Sequence, residues 1–182
     1  MNVNIFKVAT NELVGASIHK GITRNLPSIH DNWRFNFNKH ALLPYSTAYV
    51  LVSEETSDII EGCMIFQMRK KVEPYMAYLE VAPHNREVPK KYLYVAGCLI
   101  AFAYKQTFVQ ASGDYMGYLT FDVQEHNPKN EKKLITLYNK QYNAKIVAGT
   151  TSTMVIADQD GNRLIEEYLN RPPLHKTNPK LN

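Results

Sequence analysis

The apolar positions of this chain change period several times, and each change marks an element. Val3 and Ile5, then Phe6 and Val8, alternate with polar residues across Asn2 to Ala9, which predicts a first strand. Leu13, Val14, Ile18 and Ile22 recur at a helical spacing, which predicts a helix over Leu13 to Arg24. Asn25 to Tyr45 keeps no period. Its prolines, amides and aromatics predict an irregular segment or a short second helix. Thr47 to Val52 and Ile59 to Met68 are strand-like runs either side of the polar turn SEETSD, a hairpin, and Tyr75 to Val81 is a third run between Pro74 and Pro83.

Lys91 to Phe108 places apolar residues at the spacing of a helix lying on a sheet. Tyr118 to Val123 reads as a strand, Asn130 to Tyr142 as a helix, Ala144 to Val147 and Thr153 to Ala157 as short strands, and Gly161 to Leu169 as a terminal helix. A hairpin that feeds a strand–helix–strand unit implies an α/β (α+β) fold. Its sheet is mixed and mostly antiparallel, with a parallel strand pair in the middle, flanked by helices. Ligands of such sheets gather at the carboxyl ends of the parallel strands, beside helix N-termini. Val81 to Ala96 falls there. One domain over residues 1–170 is expected, then a flexible tail over 171–182 with three prolines.

Composition narrows the class. A chain of 182 residues, 45% apolar and 21% charged, is sized for one globular domain rather than disorder. The near-apolar run from Tyr94 to Tyr104 is too short to cross a bilayer, and the N-terminus carries no secretory signal, so a cytoplasmic protein is expected. Cys63 and Cys98 sit in apolar surroundings without ligand spacing and read as buried thiols; the histidines show no metal motif, so no metal is expected. The net charge of +4 suits an anionic small ligand and equally a nucleic acid.

Two blocks carry a family resemblance. Lys91-Tyr92-Leu93-Tyr94-Val95-Ala96, followed by Gly97-Cys98-Leu99-Ile100, matches the Q/R-x-x-G-x-G/A turn that opens the central helix of the GNAT superfamily of acyl-CoA N-acyltransferases, with Tyr94 in the place of the first glycine. Leu134 to Ala144 looks like that family's helix-to-strand junction. Trp33-Arg34-Phe35-Asn36, Ala82-Pro83-His84-Asn85 and Gly117-Tyr118-Leu119 add to it, and the chain is similar to a bacterial branch of GNAT-like proteins over roughly Val3 to Leu169.

The resemblance implies transfer of an acetyl group from acetyl-CoA, or of another acyl group from its CoA thioester, to a primary amine on a small molecule or protein, by direct attack in a ternary complex. It places the diphosphate on the turn at Lys91, Tyr92, Tyr94, Val95, Ala96 and Gly97, where a helix start offers free N–H donors. It lays the pantetheine arm along Leu79 and Val81, with Asn127 as a further contact. Such chemistry needs a base for the ammonium and an acid for the departing thiolate. Glu80 stands as the base and Tyr138 as the acid, while Trp33, Phe35 and His84 stand at the acceptor.

Each residue also has a plainer reading: Glu80 as a surface strand residue, Tyr138 as core, Asn127 as turn punctuation, and Trp33, Phe35 and Phe37 as pegs that dock the irregular segment. Two rivals stand beside the enzyme: a GNAT-fold protein that binds acyl-CoA or a partner without turnover, and a nucleic-acid-associated module. A homodimer stays open, and no membrane partner is expected.

Overall fold

The computed structural model describes residues 1–172, and among them nine strands form one sheet. The tail expected beyond Pro172 lies outside the described residues. β1 (Asn2–Lys7) and β2 (Glu12–Lys20) pair antiparallel from Asn2↔Ser17 to Lys7↔Glu12. The helix expected over Leu13 to Arg24 is therefore a strand. Val14, Ala16 and Ile18 share one face at period two, so the same apolar residues satisfy either spacing, and pairing on both sides decides between them.

Thr23–Asn25 and Ile29–Asp31 form 3-10 turns, and α1 (Phe37–His40) is a single turn. β3 (Ser46–Ser53), β4 (Thr56–Arg69) and β5 (Glu73–Val81) follow as an antiparallel meander. β6 (Tyr92–Leu93) pairs with β1. The expected helix thus loses its first residues to a strand, because Tyr94 turns left-handed (φ 73°) and ends the pairing before α2 (Val95–Gln110) begins. After it come β7 (Tyr118–Asp122), α3 (Pro128–Tyr142), β8 (Lys145–Ile146), β9 (Thr153–Ala157), α4 (Asp158–Leu164) and a π-helical turn over Ile165–Leu169.

The strand order is β6-β1-β2-β3-β4-β5-β7-β9-β8, and β5 with β7 is the one parallel pair among the described strands. The mixed sheet with a parallel pair inside it is the architecture that the element order predicts. α2 is buried nearly all round, from Val95 through Tyr104, with α3 and the C-terminal turn on the same side of the sheet. On the other side Leu26, Trp33 and Phe37 cover Ala48, Val50, Cys63, Ile65 and Ala82. Trp33 and Phe37 meet edge to face at 5.7 Å, so both are docking pegs of the irregular segment. Burial pushes the Cys98 thiol up to about 12 and the Cys63 thiol higher, leaving two inert buried thiols. No helix among the described residues is long and apolar enough to cross a membrane.

Candidate functional site at the parting of two parallel strands

β5 and β7 touch through a single bridge, Tyr75↔Thr120, and beyond it the two strands separate. The register between β4 and β5 slips at the same place: Ile65 faces Tyr78 while Phe66 faces Met76, so Ala77 is an extra, bulged residue. A bulge bends its strand and re-aims the side chains beside it. The β7-facing edge of β5 past Tyr75 is left without a strand partner, and Leu79 and Val81 lie on that stretch with their side chains against the α2 core.

A cleft of about 660 Å³ opens where the strands part. Phe35, Tyr75, Tyr78 and Leu43 give it apolar and aromatic walls, and Arg69, Asp122, Glu125 and His126 its charge. Asp122 accepts from Tyr75 Oη at 2.9 Å, Thr153 Oγ1 at 2.7 Å and Arg69 at 3.3 Å. Burial alone would raise the Asp122 carboxyl; the hydrogen bonds from Thr153, Tyr75 and Arg69 outweigh it and hold the group below the usual carboxylate range. Burial, and then the Asp122 bond, push the Tyr75 hydroxyl up to about 12. The Arg69 guanidinium lies 3.1 Å from the centre of the Tyr75 ring, and Glu125 pairs with Arg34 at 2.8 Å.

At the other end of the loop after β5, α2 begins without a side-chain cap. The first intrahelical bond runs from Cys98 N to Tyr94 O at 2.9 Å, and the N–H groups of Val95, Ala96 and Gly97 find no acceptor among the described residues. No protein-family model and no curated protein matches this chain in sequence. Solved structures match it in shape. The KacTA–DNA complex superposes with a TM-score of 0.54 at 11% identity, over 84% of this chain and 99% of the other. AtaTR bound with AcCoA gives 0.54 at 10% identity, over 82% and 98%. A mutant of the spermidine N-acetyltransferase SpeG from Vibrio cholerae gives 0.52 at 15% identity, over 81% and 97%.

The chain has the GNAT fold. Tyr94, which stands where the motif has its first glycine, holds a positive φ of 73°, a conformation that glycine adopts more readily. Its ring is laid against Phe6 (6.0 Å) and Tyr168 (6.1 Å).

The other sequence-predicted residues divide. Glu80 is buried, and its carboxylate accepts from Arg34 N (2.9 and 3.0 Å), Phe35 N (3.3 Å) and Arg86 Nη1 (2.7 Å). It ties the irregular segment to β5, and its oxygens are already engaged, which leaves it badly placed to take a proton. His84 Nε2 meets Glu61, a buried residue that a second bulge sets out of register on β4, and Lys91 Nζ reaches the same carboxylate at 3.4 Å. Neither side chain lines the cleft between β5 and β7. Tyr92 is core: its ring is buried and its N–H is taken by Asn85 Oδ1 at 2.8 Å. Asn127 caps α3 by accepting from Lys129 N at 2.9 Å.

Tyr138 lies against Phe121 at 4.9 Å and Tyr142 at 5.8 Å, and burial pushes its hydroxyl up to about 12. Its hydroxyl makes no hydrogen bond among the described residues. Phe35 alone of the aromatic trio lines the cleft, meeting Tyr78 at 5.1 Å. Sequence reasoning passed over Arg69, Tyr75, Asp122, Glu125 and His126. Asp122 was findable, as a carboxylate at the end of the strand that follows the central helix; Arg69 and Tyr75 gave no local signal. Among the described residues no group of three or more His, Cys, Asp or Glu is placed to hold a metal ion.

Proposed function

We propose that this protein is an acyl-CoA-dependent N-acyltransferase, with acetyl-CoA as donor and a cationic primary amine as acceptor. The observation that carries the reading is the parting of β5 and β7 at a bulge beside an uncapped helix start. An unpaired strand edge can take an extended amide-bearing arm as a further strand, and the pantetheine of CoA is such an arm. The free N–H groups of Val95, Ala96 and Gly97 suit its diphosphate. These features fit an acyl-CoA, and the GNAT fold supports the same ligand.

The acceptor amine enters the cleft, where Asp122 and Glu125 supply negative charge and Phe35 and Tyr78 supply rings that a cation prefers. Its proton passes to His126, the cleft base that no hydrogen bond among the described residues engages. The free amine nitrogen bonds to the thioester carbonyl carbon, the C–S bond breaks, and the proton that the nitrogen sheds as the amide forms goes to the departing sulfur, which the Tyr138 hydroxyl hydrogen-bonds. With its proton held up to about 12, Tyr138 stays a donor throughout the neutral range. Since the leaving thiol is the stronger acid, Tyr138 acts chiefly by hydrogen-bonding the developing thiolate.

Titration calorimetry with acetyl-CoA, followed by thiol release from acetyl-CoA over a panel of primary amines, tests this. Expected are binding, release with at least one amine, and a fall in kcat of about a hundredfold in Tyr138→Phe. No binding at millimolar acetyl-CoA would sink the proposal. The engagement of Glu80 favours a second reading, a GNAT-fold acyl-CoA binder without turnover. That reading predicts binding, no thiol release with any amine, and equal affinity in Tyr138→Phe.

A further inference from the structure

The matched turn carries one cation, Lys91, and the structure commits its ammonium to Glu61 and the face of the Tyr92 ring. A different cation stands at the start of α2, brought there from the other end of the chain. α4 begins beside Tyr104, whose hydroxyl donates to the Asp158 carbonyl at 3.1 Å. The π-helical turn then sets the Tyr168 ring against Gly97, where an added Cβ would lie 2.1 Å from a ring carbon. The Cys98 thiol donates to the Tyr168 carbonyl, and Asn4 Nδ2 donates to the Arg171 carbonyl at 2.8 Å. With its backbone fixed in this way, Arg171 places its guanidinium 3.8 Å from the centre of the Tyr94 ring and 5.5 Å from that of Tyr168.

Tyr94 immediately precedes the first turn of α2. A guanidinium and the positive end of a helix dipole, brought side by side, repel each other. The two aromatic faces offset part of that cost. An anion between them satisfies both, and a planar guanidinium matches two phosphate oxygens at once. The C-terminal segment therefore completes the turn with the charge that Lys91 does not deliver. We propose that Arg171 is a binding residue for acyl-CoA, contacting a phosphate of the nucleotide end beside the start of α2. This inference rests on the acyl-CoA reading above.

The test is calorimetric titration of acetyl-CoA into the full chain, at low and high salt, for the unaltered protein, Arg171→Ala and Arg171→Lys. Arg171→Ala is expected to weaken binding about tenfold at low salt, the loss of one charge-assisted contact. The gap should shrink at high salt as the charges are screened, and Arg171→Lys should recover part of it. Binding by Arg171→Ala within about twofold of the unaltered protein would overturn the inference while leaving the acyl-CoA reading standing. A gap indifferent to salt, marking lost packing on Tyr94, would overturn it too. An unaltered protein that binds no acetyl-CoA at all would remove the acyl-CoA reading and this inference with it.

Discussion

The loop after β5 and the cleft beside it are both built around hydrogen-bonded carboxylates, buried in the first and part-exposed in the second. Glu61 and Glu80, behind the loop, are buried, and the chain's own donors fill them: His84, Asn85 and Lys91 on Glu61, Arg86 and the N–H groups of Arg34 and Phe35 on Glu80. Asp122 and Glu125, in the cleft, are also bonded, Asp122 by Tyr75, Thr153 and Arg69 and Glu125 by Arg34, but both are part-exposed and line open space. A carboxylate removed from water must be satisfied from within, so it becomes architecture. One that keeps a solvent face stays available to a ligand. A strand glutamate next to the expected reaction centre looked like a base in the sequence, and burial gave it the architectural task.

The comparison breaks most readily at Glu61. Glu61→Ala leaves His84, Asn85 and Lys91 around an emptied buried site and should cost about 3 kcal/mol, lowering Tm by roughly 10 °C. A melt within a degree or two of the unaltered protein would deny the loop its carboxylate scaffold. Glu80→Gln puts an amide NH2 against the Arg34 and Phe35 N–H donors and removes the ion pair with Arg86. It should cost about 2 kcal/mol in urea unfolding while kcat of the folded protein changes by less than about threefold. A kcat loss near a hundredfold would restore Glu80 as the base.

Gly97→Ala pits a gain in helix propensity of up to about 1 kcal/mol against a clash with the buried Tyr168 ring, and a net loss of roughly 1–2 kcal/mol is expected. Adding Tyr168→Leu should return part of it; no recovery in the double variant would mean the two residues are not in contact. The smallest effect belongs to Asp122→Asn, about 1 kcal/mol at neutral pH. Hydrogen bonds hold the Asp122 carboxyl below its ordinary value, so its stabilisation is present above the unfolded carboxylate pKa and fades as pH falls through the folded one. Unfolding curves of variant and parent should stay apart from roughly pH 7 to 5 and converge towards about pH 2. Curves that diverge on acidification would reverse the assignment.

Much of the fold was legible where the apolar pattern fits one element. The β3–β4 hairpin, β5 and α2 announce themselves as apolar runs that the core covers on both sides, and α3 by its one apolar face. β2 was not legible: Leu13, Val14, Ile18 and Ile22 fit a helix as well as a strand, and only hydrogen bonds to β1 and β3 settle the matter. Of the residues that the sequence singled out, Phe35 lines the cleft, whereas Tyr138 packs against Phe121 and Tyr142. The cleft charges could not be named in advance, because Arg69, Tyr75 and Asp122 come from three strands and become neighbours only where β5 leaves β7.

By itself, then, the sequence determined most of the local periods, the mixed sheet and the helix start near Val95, since each depends on residues close together along the chain. Tertiary structure alone decided which carboxylates were spent on architecture and which cation reached that helix start. Those outcomes depend on burial and on approach between distant segments: Arg171 meets Tyr94 only after β9 and α4 carry the chain back along α2.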